Sequence, residues 1–350
     1  MVKLSHSAAN KYADCPEAYR IHYVENIRPK TYHAALSFGS AVEAGINVLL
    51  TSGNMAKARE VFLDAWSVAE INGEKESLRE SLKVVYSDKD FDTDLVDMPD
   101  EVAVLYKEIK DKKKTVGYDN LSDEDKRLFN ALNWDSSAAK GALMLEAFER
   151  QVLPNIEKVY HMQKRVDFKN EDGDEVVGYV DLICKWRDIG DVVIDIKTSA
   201  TEYETDSVRT SQQLILYTSA LGLQWAGYVV MLKGMKKDRV KICQKCKHDG
   251  SASRAKTCDN EVKGSRCKGE WDEKVTVKAD VQIVMDKISE YAKDMVMENF
   301  MQLVHAIKQE SFPKALSKCQ NMYGKPCPFI KKCWTGDMEG LIKLDKKGSK

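Results

Sequence analysis

Two hydrophobic periods alternate along this chain. Residues 4–27 place apolar side chains at helical spacing in two short runs, with Ser5 or Ser7 able to cap the first and Pro16 in the first turn of the second. Helical spacing returns over 34–72, broken at "TSGN", and again over 98–153. From 157 the period shortens to two: "EKVYHMQKRVDF", "VVGYVDLICKW" and "VVIDIKTS" read as strands joined by "NEDGDE" and "RDIGD", an antiparallel meander. A helix over 208–221 and a strand over 226–233 follow, and 281–309 reads as one long amphipathic helix. The acidic run "SDKDFDTDLVDMPDE" and the basic run "KEIKDKKK" read as solvated loops and helix faces.

Length and charge narrow the class. At 350 residues and 43% hydrophobic content the chain suffices for a real core. With 54 Lys and Arg against 55 Asp and Glu, no overall field draws it to nucleic acid or an anionic membrane, so such a partner must meet a local patch. The N-terminal segment has no apolar stretch of signal-peptide length, which leads to the expectation of a cytoplasmic protein. The uncharged stretch 210–232 carries Gln212, Gln213, Gln224 and Gly222, and reads as helix, turn and strand rather than a membrane span. No "GxxxxGK[ST]" loop is present, so ATP is not expected as a partner.

The strands pose the chemical question. Asp181 lies on one apolar strand, and Asp195 and Lys197, two apart on the next, share a face. Two carboxylates converging at neutral pH are costly unless a cation lies between them, and hard oxygen donors fit Mg²⁺ or Mn²⁺. An ammonium at Lys197 beside that ion would orient water or offset charge on a phosphate. Gln213 and Tyr217, four apart, share one face of the following helix.

These residues resemble a known family. "GYVD", "DIK" and "QQLILY" look like the PD-(D/E)XK nuclease superfamily, in its RecB-like branch of phage recombination and CRISPR-associated nucleases. The N-terminal "LSHSAANKYADCPEAYRIHYV" and "ALSFGSAVEAGINVLL" are similar to that branch as well, although Glu43 stands where His is commonest. The resemblance implies a restriction-endonuclease-like core with Glu43, Asp181, Asp195 and the carbonyl of Ile196 as Mg²⁺ or Mn²⁺ ligands. It also implies Lys197, Gln213 and Tyr217 as further catalytic residues, and products with 5′-phosphate and 3′-hydroxyl ends.

The 9 cysteines form two sets of four with one, Cys184, left over. Cys243, Cys246, Cys258 and Cys267, the first two a CxxC, suit a structural zinc, with His248 able to replace one thiolate. Cys15 with Cys319, Cys327 and Cys333 looks like the [4Fe-4S] staple of part of the branch, zinc being the alternative because the first gap is wider than usual. From Lys233 to Lys268, 12 Lys and Arg stand against 4 Asp and Glu, a net of +8, so the knuckle is expected to grip DNA backbone near the cleft. Cys184, His6, His33, His161 and His305 have no partners legible in the sequence.

The expected fold is α/β (α+β), a central mixed sheet flanked by helices. Its segments are N-terminal helices of the core at 1–50, a helical insertion at 51–153, the catalytic core at 154–235, the zinc-knuckle insertion at 236–275, and a C-terminal helix with Cys-rich tail at 276–350. The expected function is a metal-dependent exonuclease of phage or bacterial recombination or repair, in the cytoplasm of a bacterial or phage-infected cell. DNA is its expected partner, with a single-strand annealing or recombination protein as a candidate second partner, and neither membrane nor ATP. Alternatives are a CRISPR-associated end-trimming nuclease and a non-catalytic DNA-binding scaffold.

Overall fold

The period-two segments pair as the alternation implies. The computed structural model describes residues 2–87, 91–169, 173–251, 253, 255–262, 264–320 and 326–345. Parts of the acidic run (88–90), of the "NEDGDE" turn (170–172) and of the tail between Cys319 and Cys327 (321–325) lie outside the described residues, as do Arg254 and Lys263 of the basic window.

Strand β1 (Lys3–Ser5) leads into helix α1 (His6–Asp14), capped by Ser5 Oγ accepting from Ala8 N at 3.2 Å. Helix α2 (Pro16–Tyr19), one turn of π-helix (Arg20–Val24) and strands β2 (Ile27–Pro29) and β3 (Tyr32–His33) follow. The "TSGN" break separates α3 (Ala34–Ser52) from α4 (Met55–Ser67), with left-handed Gly53 ending one and Asn54 capping the other. Helical spacing was expected to reach 72, but α4 stops at Ser67. Strands β4 (Val68–Ile71) and β5 (Glu74–Ser77) form a hairpin because Asn72 and Gly73, with φ of 55° and 92°, make the Asn-Gly turn that hairpins favour. After β6 (Val84–Val85) come α5 (Asp100–Val116) and the long α6 (Asp123–Gln151).

The meander is β7 (Ile156–Lys169), β8 (Glu175–Trp186) and β9 (Gly190–Ser199), then α7 (Gln212–Leu221) and β10 (Trp225–Cys243). The short pair β11 (Glu261–Val262) and β12 (Ser265–Arg266) precedes β13 (Trp271–Lys287). The long helix expected over 281–309 is therefore two elements. Its first residues finish β13, whose β-branched "VQIV" pairs with β10 (Val229 opposite Ile283), and α8 (Glu290–Lys308) starts at the Ser289 cap. Helix α9 (Ile330–Thr335) and β14 (Leu341–Lys343) end the fold, β14 pairing with β2.

The result is a mixed six-stranded sheet with path β1-β8-β9-β10-β13 and β7 beside β8. β10 runs parallel to β9 and antiparallel to β13. Helices α3, α4 and α6 cover one face around Phe38, Ile46, Phe62, Trp66 and Phe148, and α1, α7 and α8 cover the other around Leu4, Leu216, Tyr217 and Phe300. The mixed sheet with helices on both faces is the α/β architecture expected. Among the described residues one helix, α3, is long and apolar enough to cross a membrane by length and composition. It carries Glu43, and its Phe38, Val42, Ile46 and Leu49 are buried in the core, which accounts for its composition.

Candidate active site

The site lies where β8 changes neighbours. Along one edge β8 pairs with β1 through Glu175–Val177 and with β9 from Leu182 onward, so residues 178–181 sit at a fork between the two. Gly178 lets α7 close on that fork: a Cβ there would stand 2.3 Å from Cε1 of Tyr217. On the other side α3 approaches β9 at Gly39, whose Cβ would stand 3.5 Å from Thr198 Oγ1, and Glu43 follows one turn later.

The three expected carboxylates meet here. Asp181 Oδ2 accepts from the Ile196 amide at 2.8 Å, Asp181 Oδ1 and Glu43 Oε1 accept from the same Gln163 Nε2, and the charges of Asp195 and Glu43 both act on Asp181. All three are pushed toward the neutral acid. For Asp181 burial leads, followed by the charges of Asp195 and Glu43, and its pKa rises to about 8. Burial raises Asp195 and Glu43 as well. Asp195 is 1% exposed; its Oδ1 accepts from Gln213 Nε2 at 2.9 Å, while Oδ2 makes no hydrogen bond. That Oδ2 has Lys197 Nζ at 2.6 Å, a charge pair without hydrogen-bond alignment. Burial works against the Lys197 ammonium, but Asp195 and Asp181 overrule it and hold its pKa above the usual range.

Gln213 links the rest. Its Oε1 accepts from Lys197 Nζ at 3.3 Å, and its Nε2 also donates to Tyr217 OH at 2.9 Å, so the four-residue spacing does place both on the site. A buried acceptor lacking a hydrogen bond, flanked by two further carboxyls that burial and mutual charge push toward the neutral acid, fits a divalent cation bound through oxygen. The carboxylate oxygens do not all lie within 4.8 Å of one another. Among the described residues only the Cys243 set brings three or more such ligand atoms that close.

Two residues at the site carried no expectation. Gln163 takes φ of 48°, a left-handed kink inside β7, and its Nε2 donates to Asp181 Oδ1 at 3.3 Å and to Glu43 Oε1. Alternation along β7 does not reveal it. His6, at the start of α1, is held neutral: burial first and the Lys197 charge second push its pKa down to about 4.

The cysteines fall into the two expected groups. Cys243 Sγ lies 3.6 Å from Cys267 Sγ, and Cys246 Sγ 3.6 Å from Cys258 Sγ. Four thiolates on one tetrahedral zinc stand roughly 3.8 Å apart, given the usual Zn–S distance. Burial opposes ionisation of Cys243, but N–H donors of Lys245 and Cys246 lower its pKa to about 6. Gly269 admits the chain beside the sulfurs, since a Cβ there would sit 2.7 Å from Cys243 Sγ. His248 is exposed and stands outside this tetrad. Cys15, Cys319, Cys327 and Cys333 line one pocket of about 320 Å³, open solvent included, where α2 meets the tail. Their sulfurs are more widely spread than the tetrad's. Cys184 is core, and burial pushes its thiol up to about 12.

The knuckle does not border the cleft. It closes the far end of the β10–β13 ladder and, among the described residues, has its own small core of Cys243, Cys258, Cys267, Cys246 and Trp271.

No curated protein matches this sequence. The sequence model of the PD-(D/E)XK nuclease superfamily matches residues 3–333, nearly the whole chain, which includes the forked sheet and every residue placed at the site above. The chain belongs to the PD-(D/E)XK nuclease superfamily.

Proposed function

We propose that the protein is a metal-dependent deoxyribonuclease of the RecB-like branch, acting as an exonuclease in phage or bacterial recombination or repair. The observation that carries this reading is the buried Asp195 Oδ2, without a hydrogen bond and 2.6 Å from Lys197 Nζ, in a site to which Glu43 and Asp181 bring two further carboxyls. A binding scaffold has no use for converging carboxyls, which repel phosphate.

Glu43, Asp181, Asp195 and the Ile196 carbonyl would hold Mg²⁺ or Mn²⁺. When bound there, such an ion supplies Lewis-acid polarisation of the phosphodiester and a more acidic water. The protein's own contributions are positional. The Ile196 amide and Gln163 fix Asp181, Gln213 fixes Asp195 and Lys197 together, and Tyr217 fixes Gln213. Lys197, cationic throughout the physiological range, orients the nucleophile and offsets charge on the phosphate. Cleavage leaves 5′-phosphate and 3′-hydroxyl ends.

The cysteine sets take different roles. The tight Cys243 tetrad suits a single zinc. The wider Cys15, Cys319, Cys327 and Cys333 pocket suits a [4Fe-4S] cluster, whose larger inorganic core spans more widely spaced thiolates.

The decisive experiment incubates end-labelled linear DNA and closed circular DNA with Mg²⁺ or Mn²⁺, comparing wild type with Asp195→Ala and Lys197→Ala. Loss of the linear substrate alone, abolished by both substitutions, is the expected result. Binding without cutting of either substrate would replace this reading by a DNA-binding scaffold.

A further inference from the structure

We propose that the tip of the β10–β13 arm is a second contact for duplex DNA, up to about one and a quarter helical turns from the scissile phosphate. The proposal rests on the nuclease reading above.

The arm starts at the site. Val230 of β10 pairs with Lys197, and thirteen residues separate it from Cys243 at the tip. At ~3.4 Å per residue that is a span of up to ~44 Å, against ~35 Å for one turn of duplex. β13 accompanies β10 throughout, from Lys287 opposite Trp225 to Trp271 opposite Cys243, with one irregularity between Leu232 and Lys236. The tip is thus held out on a paired ladder.

Charge is distributed unequally along it. On the stem Lys236 pairs with Asp280, Lys237 with Asp92 at 3.2 Å, and Lys278 with Asp238 at 3.1 Å. Two of those acids, Asp92 and Asp280, lie outside the basic window of the sequence and offset its Lys237 and Lys236. At the tip Lys245, Lys247, Lys256, Arg266 and Lys268 are exposed and, among the described residues, none makes an ion pair or hydrogen bond through its side chain. Asp249 and Asp259 are already engaged with Ser251 and Ser253. From Lys241 to Asp272 there are 8 Lys and Arg against 5 Asp and Glu, too small an excess for a long-range field. Discrete phosphate contacts by the unpaired cations are what this arrangement offers.

A protein partner fits less well. Among the described residues of the tip only Val262, at 42%, is an exposed large hydrophobic, and a protein interface needs buried aromatic or aliphatic anchors. DNA, in contrast, already enters at the arm's base.

The test measures binding of blunt duplexes of about 8 and about 30 base pairs, one shorter and one longer than the arm's reach. Wild type is compared with the combined Lys245→Gln, Lys247→Gln, Arg266→Gln and Lys268→Gln variant, without added Mg²⁺ or Mn²⁺, across salt. Cleavage of the short duplex is followed in parallel. Wild type should favour the long duplex, and between about 50 and 200 mM salt that advantage should shrink on the order of 100-fold for four phosphate contacts. The variant should lose the advantage, with the salt slope lower by roughly 3.6, and should cut the short duplex at the wild-type rate. The Lys245→Gln, Lys247→Gln pair alone should remove about half of that slope. An unchanged long-duplex advantage overturns the proposal and leaves the tip to an acidic protein. Equal loss on the short duplex also overturns it, because the tip would then serve the site or the fold. Wild type that cuts neither duplex refutes the nuclease reading itself, an outcome independent of the arm variants.

Discussion

Three carboxyls pushed toward the neutral acid make the metal-free protein sensitive to pH in a definite direction. The Asp181 pKa is raised to about 8 from the ordinary carboxylate value of 3.8. In the window between those values the folded chain keeps a proton that the unfolded chain has released. Stability changes with pH as the number of protons bound by the unfolded state minus that bound by the native state, and this difference is negative here. Metal-free stability therefore falls as pH rises through the window, and the loss is complete only above the folded pKa. One proton held over the two units from pH 5 to pH 7 corresponds to about 2.7 kcal/mol.

A chain of 350 residues has an unfolding entropy of roughly 0.7 kcal/mol/K at the average per-residue value, so that difference is roughly 4 °C in Tm. The assay is thermal unfolding of metal-free wild type and Asp181→Asn at both pH values. Asparagine keeps the shape and removes the titration, so wild type should lose roughly 4 °C more than the variant on going from pH 5 to pH 7. Adding Mn²⁺ replaces the retained proton with a cation. The Mn²⁺-induced rise in Tm should grow with pH and disappear in Asp195→Asn. Equal pH slopes for wild type and Asp181→Asn, or a Mn²⁺ shift that is the same at pH 5 and pH 7, would refute the reasoning.

Other consequences follow from the same geometry. Gly178→Ala drives a methyl into the buried Tyr217 ring and should cost about 1–3 kcal/mol in thermal unfolding, with activity reduced; unchanged stability would show that the fork has room to spare. Gln163→Leu should raise the metal concentration for half-maximal cleavage about 10-fold or more, with little change in Tm since the side chain is exposed, and an unchanged metal titration would remove Gln163 from the site. Elemental analysis of Cys243→Ser should show one zinc lost and iron retained, whereas Cys15→Ser should lose iron and keep zinc. A single metal pool affected by both would contradict two separate sites.

Much of the site was legible because its residues repeat at the period of their own element. Asp195 and Lys197 are two apart on a strand, Gln213 and Tyr217 four apart on a helix, and the "RDIGD" turn makes β8 and β9 neighbours. What was hidden depends on distant partners or on backbone shape. Gln163 reaches the carboxyls through a left-handed kink that no hydrophobic pattern reports. Residues 281–288 hold apolar side chains compatible with either period, and only β10, some fifty positions earlier, decides for a strand. The Asn72-Gly73 turn was legible in principle, since that dipeptide is a hairpin signal, but the helical periodicity before it and the charged Glu74-Lys75-Glu76 after it masked the change. The basic window misled for a related reason: its stem lysines find their acids on β13 and at Asp92, outside the segment counted.

The placing of the cysteines follows from where the hydrophobic core ends. Two large clusters fill the faces of the sheet, but the joined termini and the arm tip each bury only a handful of apolar residues. Segments that small cannot offset their own chain entropy by burial, and cross-linking through metal is one of the few remedies open to them. Both outlying clusters contain cysteines: Cys15 and Cys327, with Cys333 packed against them, at the termini, and the tetrad at the tip. The acids at the fork show the opposite economy. They are set between the two large cores, Asp195 buried and Glu43 and Asp181 half-buried, where neighbouring strands and α7 hold their geometry against mutual repulsion. Stability is thus spent at the centre and supplied at the periphery, as expected if the central groups are kept for chemistry and the peripheral thiolates for structure.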